Sequence, residues 1–349
     1  MKRLTTVIIG ALIISMGIIC ILILSMGCIK VKKDNIASPE YSPSISSEMD
    51  TLIFSDPHNY ARTLYKGDDA SKVEIRSYKD ILALFEKHNY TSASWKEGIR
   101  EVPRIYLPLI GDRWGPKSSK EMVVEDKKKI FFRSLGPLVL RSNELIMEDR
   151  NRLKNIKEGF SKNKVSDEDK NWILKLAQTY RVDPGQNEVS DSLLDELWVR
   201  VDIVPVSLAL AQAAEESGWG TSRFAGLGNA VYGQWTWGDN AMTPEKQRKE
   251  LGNYGIASFE TLQQSICAYM LNLNTHNAYT SLRSKRAELQ KKDEKITGHI
   301  LAGQLTKYSE RGEEYVKGLR SLMEYNRLKP TDDAYLSKKP PIYLVPVAN

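Results

Sequence analysis

At 349 residues, the chain has material for one large domain or two smaller ones, and its 41% hydrophobic and 27% charged residues are those of an ordinary globular protein. A formal net charge of +6 is mild and favours an anionic polymer or membrane surface as partner, with nothing that indicates nucleic acid. Cys20 and Cys28 lie in an apolar N-terminal stretch, which leaves Cys267 alone in the globular part and excludes an internal disulfide there. The four histidines, His58, His88, His276 and His299, have no ligand-pair spacing, so a zinc amidase is disfavoured and no metal or cofactor is expected.

Met1-Lys-Arg precedes a nearly uncharged apolar run from Leu4 to Ile29, followed by Lys30-Val-Lys-Lys33. Roughly 26 residues exceed the apolar core of a cleaved signal and suffice to span a bilayer as a helix. Residues 1–30 therefore read as a signal anchor, with Lys2 and Arg3 on the cytoplasmic side and the remainder outside. Gly27-Cys28 offers a second reading, a lipoprotein signal with Cys28 lipidated, although Ser25 stands where such signals usually carry leucine. Residues 31–50, rich in Ser, Pro and charge, read as a flexible stalk.

Residues 51–165 read as a helical N-terminal extension. It comprises a helix over 80–97, an extended proline-punctuated segment over 102–108 and a long helix over 125–156, bent or capped near Gly136-Pro137. A capped helix follows from Ser166, with a stripe of Trp172, Ile173, Leu176 and Tyr180, and Asp183-Pro-Gly185 breaks it. Residues 191–200 form another helix, with Leu193, Leu194, Leu197 and Trp198 on its buried face.

Val204-Pro205 then opens an alanine-rich helix that Gly218 and Gly220 must end. Glu216 therefore sits at a helix C-terminus, where the negative end of the dipole and burial beside Trp219 would raise its pKa and suit it to general acid work. A solvated terminal glutamate is the plainer alternative. Further helices are expected over 257–275, with Cys267 as a small buried group, over 279–290 and over 313–325. The proline-rich tail, 329–349, is expected to lie extended along the surface.

Ala211-Gln-Ala-Ala-Glu-Glu-Ser-Gly-Trp-Gly-Thr-Ser-Arg-Phe224, Gly228-Asn-Ala-Val-Tyr-Gly-Gln-Trp-Thr-Trp-Gly238, Ala257-Ser-Phe259 and Ser265-Ile-Cys-Ala-Tyr-Met-Leu-Asn-Leu-Asn-Thr-His-Asn-Ala-Tyr279 together resemble the bacterial endo-β-N-acetylglucosaminidase superfamily. The similarity is to its Bax-type branch and covers roughly residues 190–328. The resemblance implies a mainly α, lysozyme-like catalytic domain, here 166–328, that cuts the β-1,4 bond after N-acetylglucosamine in bacterial peptidoglycan. It also implies that Glu216 is the catalytic acid and that Tyr279 lies near the catalytic site, where it positions the acetamido group or a water or serves as a buried structural tyrosine.

Within that frame, the glycine-rich run 226–238 reads as one wall of a glycan cleft. Tyr232, Trp235 and Trp237 would stack on sugar rings, with Trp219 beside them, and Asn229 and Gln234 would bond an acetamido group; at least one of Trp235 and Trp237 could equally be core. His276 would fix its turn or touch substrate. The charged stretch 239–253 reads as a small loop or hairpin lobe over the cleft. A second carboxylate is sought among Asp239, Glu245, Glu250 and Glu260, with Glu250 favoured. Glu215 is excluded because it lies about 100 degrees round the helix from Glu216. A substrate-assisted mechanism would need no second acid.

The expected partner is the peptidoglycan glycan strand, met in the extracytoplasmic bacterial envelope by a membrane-tethered protein. A muramidase or lytic transglycosylase is the alternative enzyme, although Asn229-Ala-Val-Tyr-Gly233 replaces the Gly-Leu-Met-Gln type signature of such enzymes. A non-catalytic wall-binding protein is the third reading.

Overall fold

The computed structural model describes residues 70–109, 122–162, 164–186, 188–236, 241–244 and 255–347. The apolar N-terminal run with Cys28, the stalk, and Trp237, Asp239, Glu245 and Glu250 lie outside the described residues. Among the described residues no helix is long and apolar enough to cross a membrane.

The architecture is mainly α. After β1 (Ser71–Ile75) come α1 (Tyr78–Lys87), α2 (Ser92–Lys96), β2 (Glu101–Val102) and β3 (Ile105–Tyr106). The longest element, α3 (Val124–Phe160), runs unbroken through the buried Gly136 and Pro137. Its first half buries Ile130, Phe131, Leu135, Leu138 and Val139 in the main core. Its second half supplies Leu153 and Ile156 to a smaller cluster with α4 (Asp167–Thr179) and α5 (Asp191–Arg200). The Ser166 and Ser190 hydroxyls cap α4 and α5 by accepting from Asp169 and Leu193 N–H.

The central element is α6 (Val206–Ser217), in which every residue from Val206 to Ala214 is buried. A helix apolar on all sides must be enclosed on all sides, and α6 packs against α3, α10 (Gly298–Ala302) and α11 (Glu313–Tyr325). The approach of α10 is close: a Cβ on Gly298 would stand 2.6 Å from the backbone nitrogen of Leu208. Between these lie α7 (Arg223–Gly228), α8 (Leu262–Thr275), a 3-10 turn at Asn277–Tyr279 and α9 (Thr280–Lys291). The loop lobe contains an antiparallel sheet in which β6 (Gly255–Ala257) lies between β4 (Trp235–Thr236) and β5 (Ala241–Met242).

Two segments differ from the sequence-based expectation. The stretch read as a helical extension contains β1, β2 and β3, and the proline-rich tail, though extended, is paired into two sheets. Its β7 (Tyr335–Leu336) pairs in parallel with β2, and β8 (Ile342–Pro346) is the centre of the sheet β1-β8-β3, parallel to both neighbours. Tyr343 and Leu344 are buried there. Such pairing is non-local, so no turn signal or local periodicity announces it.

Candidate active site

The start of α6 is anchored from three directions. Pro205 occupies the N-cap and its ring carries no hydrogen-bond acceptor, so Asp332, distant in sequence, does the capping. Its carboxylate accepts from Ser207 N–H and Oγ–H, both at 2.8 Å, and from Gly298 N–H at 2.9 Å. Asn143 of α3 exchanges a pair of hydrogen bonds with the backbone of Val204. Just upstream, the buried Asp202 carboxylate is flanked by Arg286 at 3.3 Å and Arg150 at 3.5 Å, and accepts from Gln290 at 2.9 Å. The fully buried Arg286 also donates to the carbonyls of Val199 and Ile203 and to Asn274 Oδ1.

The opposite end of α6 carries Glu216. Ser217 is buried and organises the exit: its hydroxyl donates to Ala213 C=O and accepts from Gly220 N–H at 2.8 Å. Gly218, Trp219 and Gly220 then take φ of +55°, +63° and +74°, three consecutive left-handed residues. Only glycine does this freely. The tryptophan is held there by ring contacts with Phe131 and Phe132 of α3 and by Lys128 4.9 Å from its centroid. Its ring packs against α3.

Tyrosines surround Glu216. Tyr315 of α11 donates to Glu216 Oε1 at 2.8 Å and accepts from Gln212 Nε2 at 3.0 Å, while Gln212 Oε1 accepts from Tyr269 at 2.7 Å. An ionised carboxylate can only accept, which fixes the direction of every proton in this chain. While Tyr315 donates to Oε1, Oε2 is the oxygen left to carry a proton. That oxygen lies 3.7 Å from where a Cβ on Gly233 would stand, so it looks toward the glycine-rich loop. Burial raises the Glu216 pKa and the neighbouring Glu215 adds to this, while the Tyr315 hydrogen bond and Arg311 oppose it. Glu215 itself turns outward to pair with Arg311 at 2.6 Å.

Tyr279 is buried close enough to feel the Glu216 charge, and burial pushes its pKa up to about 12. Its ring lies 5.8 Å from that of Tyr308, which stacks on Tyr315. His276 is exposed, and its Nδ1 accepts from Ala278 N–H at 3.1 Å, capping the turn that presents Tyr279. Trp235 is 49% exposed.

Two expected cleft residues are spent inside the protein. Tyr232 is buried face to face with Tyr269, ring centroids 3.8 Å apart, and presents nothing to a substrate. Asn229 adopts φ +50° as the cap of α7, and its amide nitrogen donates to the carbonyls of Phe259 and Glu260, tying the loop down. Gln234 holds β6 through its backbone carbonyl, and its side-chain oxygen is buried. Glu260, a candidate second acid, is exposed and accepts from Gln264.

Tyr315, Gln212, Tyr269 and Tyr308 were not singled out from sequence. The one available signal is Gln212, a polar residue amid an apolar helix, which implies a buried partner.

A family profile described as Mannosyl-glycoprotein endo-beta-N-acetylglucosaminidase matches residues 192–328. The chain is 32% identical over 202 residues to Protein bax of Escherichia coli (strain K12), covering 58% of this chain and 70% of that relative. No solved structure matches.

Proposed function

Because the chain belongs to the glucosaminidase family of peptidoglycan glycosidases, in its Bax-type branch, we propose that it hydrolyses the β-1,4 bond after N-acetylglucosamine in wall glycan, with Glu216 as general acid. The observation that carries this reading is the Glu216 carboxyl itself, half-buried at the end of α6 and held on one oxygen by Tyr315. Glycoside cleavage requires a proton on the leaving oxygen. The raised pKa keeps Glu216 protonated further toward neutral pH, and Oε2 is the oxygen that delivers the proton. Activity is lost as pH rises through that raised value.

Tyr279 positions the acetamido group or a water, and Trp235 and Trp237 stack on sugar rings. Glu250 acts as the second carboxylate. The family's name refers to a mannosyl-glycoprotein; the wall-glycan substrate is favoured here by the apolar N-terminal run, which tethers the protein outside the cytoplasm as an anchor or through lipidated Cys28, and by the mild positive charge.

The test is digestion of purified peptidoglycan by wild type and Glu216→Gln, with borohydride reduction and mass spectrometry of the fragments. New N-acetylglucosaminitol ends are expected, reduced about 10²- to 10⁴-fold in the variant. Muramitol or anhydro ends would reassign the bond, and equal activity in the variant would remove Glu216 from the mechanism.

A further inference from the structure

Several arginines of this protein that leave bulk water do so beside a carboxylate. Arg104 grips Glu144 with two nitrogens, Arg200 reaches Glu196, and Arg150 and Arg286 share Asp202. Arg283 instead donates to the carbonyls of Leu273 and His276, whereas Arg133 of α3 has neither kind of partner among the described residues. Its guanidinium lies 5.7 Å and 6.0 Å from the ring centroids of Tyr90 and Phe85 and donates to Ser92 Oγ at 2.9 Å, and no carboxylate pairs with it among the described residues. Burial alone pushes its pKa down, against the weaker pull of Tyr90, Glu86 and Glu125. A partly desolvated guanidinium presents a planar fork of donors suited to a carboxylate.

Arg133 lines a groove of about 600 Å³ bounded by α2, the first half of α3 and the end of α11. Lys96, Lys128 and Arg327 stand on the same walls against a single acid, Glu125, and Phe132 and Tyr325 offer apolar faces. Lys128 is braced there between aromatic rings, 4.9 Å from Trp219 and 4.6 Å from Tyr325. Phe132 also packs on Trp219, so the groove adjoins the turn that follows Glu216. This is an excess of positive charge with aromatic surface, which matches a short acidic peptide with aliphatic side chains better than a neutral sugar.

We infer that this groove is a second subsite, which takes the free carboxylates of the peptide stems borne by wall glycan. The inference rests on the wall-glycan reading above, and it makes the enzyme select strands that still carry their peptides. Arg133 supplies the fork, and Lys96 and Arg327 supply the rim.

The test is calorimetric binding to the full chain carrying Glu216→Gln, so that no turnover is needed. The probes are a soluble stem peptide with free carboxylates, the same peptide fully amidated, and inorganic phosphate. Amidation should weaken binding at least about tenfold, the loss of one charge-assisted contact, and so should the double charge reversal Lys96→Glu with Arg327→Glu. Both reversed residues are exposed, so folding should survive, as a circular dichroism melt would verify. Arg133→Gln should act in the same direction. Equal binding of the amidated peptide, phosphate binding as tightly as the peptide, or no loss in the double variant would overturn the subsite. Cleavage of wall glycan without peptide binding would sink this inference alone, and peptide binding without cleavage would sink only the catalytic reading.

Discussion

The two ends of α6 solve opposite problems. At its start, the carboxylates and the amide have partners: Asp332 caps two helices, Asn143 answers the backbone of Val204, and Asp202 sits among Arg150, Arg286 and Gln290. At its end, burial disfavours the charge of Glu216 as it does that of Asp332, but Glu216 has one hydrogen bond where Asp332 has three. The matched end gives the helix a fixed position, and the mismatched end keeps a proton available. Precision at a site of this kind comes from the rigid elements behind it.

The comparison can be broken first at the matched end. Arg286→Ala removes a fully buried cation and leaves Asp202 with one guanidinium, and the expected loss is about 3–5 kcal/mol in urea denaturation. A loss below about 1 kcal/mol would mean that the backbone contacts of Arg150 already suffice. Asp332→Ala comes next. It strands the Ser207 and Gly298 N–H groups inside the protein and should cost about 1–3 kcal/mol in the same urea denaturation.

At the mismatched end the smallest change is Tyr315→Phe. The lost hydrogen bond favoured the ionised carboxylate, so the Glu216 pKa should rise further. The high-pH limb of the kcat profile should then move to higher pH, while kcat itself falls because Oε1 is no longer held. A limb that stays in place or moves to lower pH would show that Tyr315 does not control the Glu216 proton.

What could be read from the chain before folding follows from the range of the forces involved. The alanine-rich helix, its start near Pro205 and its stop at Gly218 are short-range features, and so were visible; Glu216 stood out because it fell at that stop. Tyr315 lies 99 residues away along the chain and Asp332 lies 125 from Ser207, and nothing near either residue reveals its partner. Asn229 and Tyr232 were misread for a related reason. Glycines and aromatics in a loop suggest a ligand surface, but whether a ring faces out or stacks on Tyr269 is decided by α8, which comes later in the chain.

The parallel pairing of β8 has a consequence in time. β1 and β3 are not neighbours in the sheet; each pairs with the strand Ile342–Pro346. As the chain is synthesised, both strands emerge hundreds of residues ahead of the segment that pairs them, and their edges stay open until it arrives. Closing so long a loop carries an entropic cost and places this sheet among the late events of folding. The strand Ile342–Pro346 therefore acts as the latch on two strands made well before it.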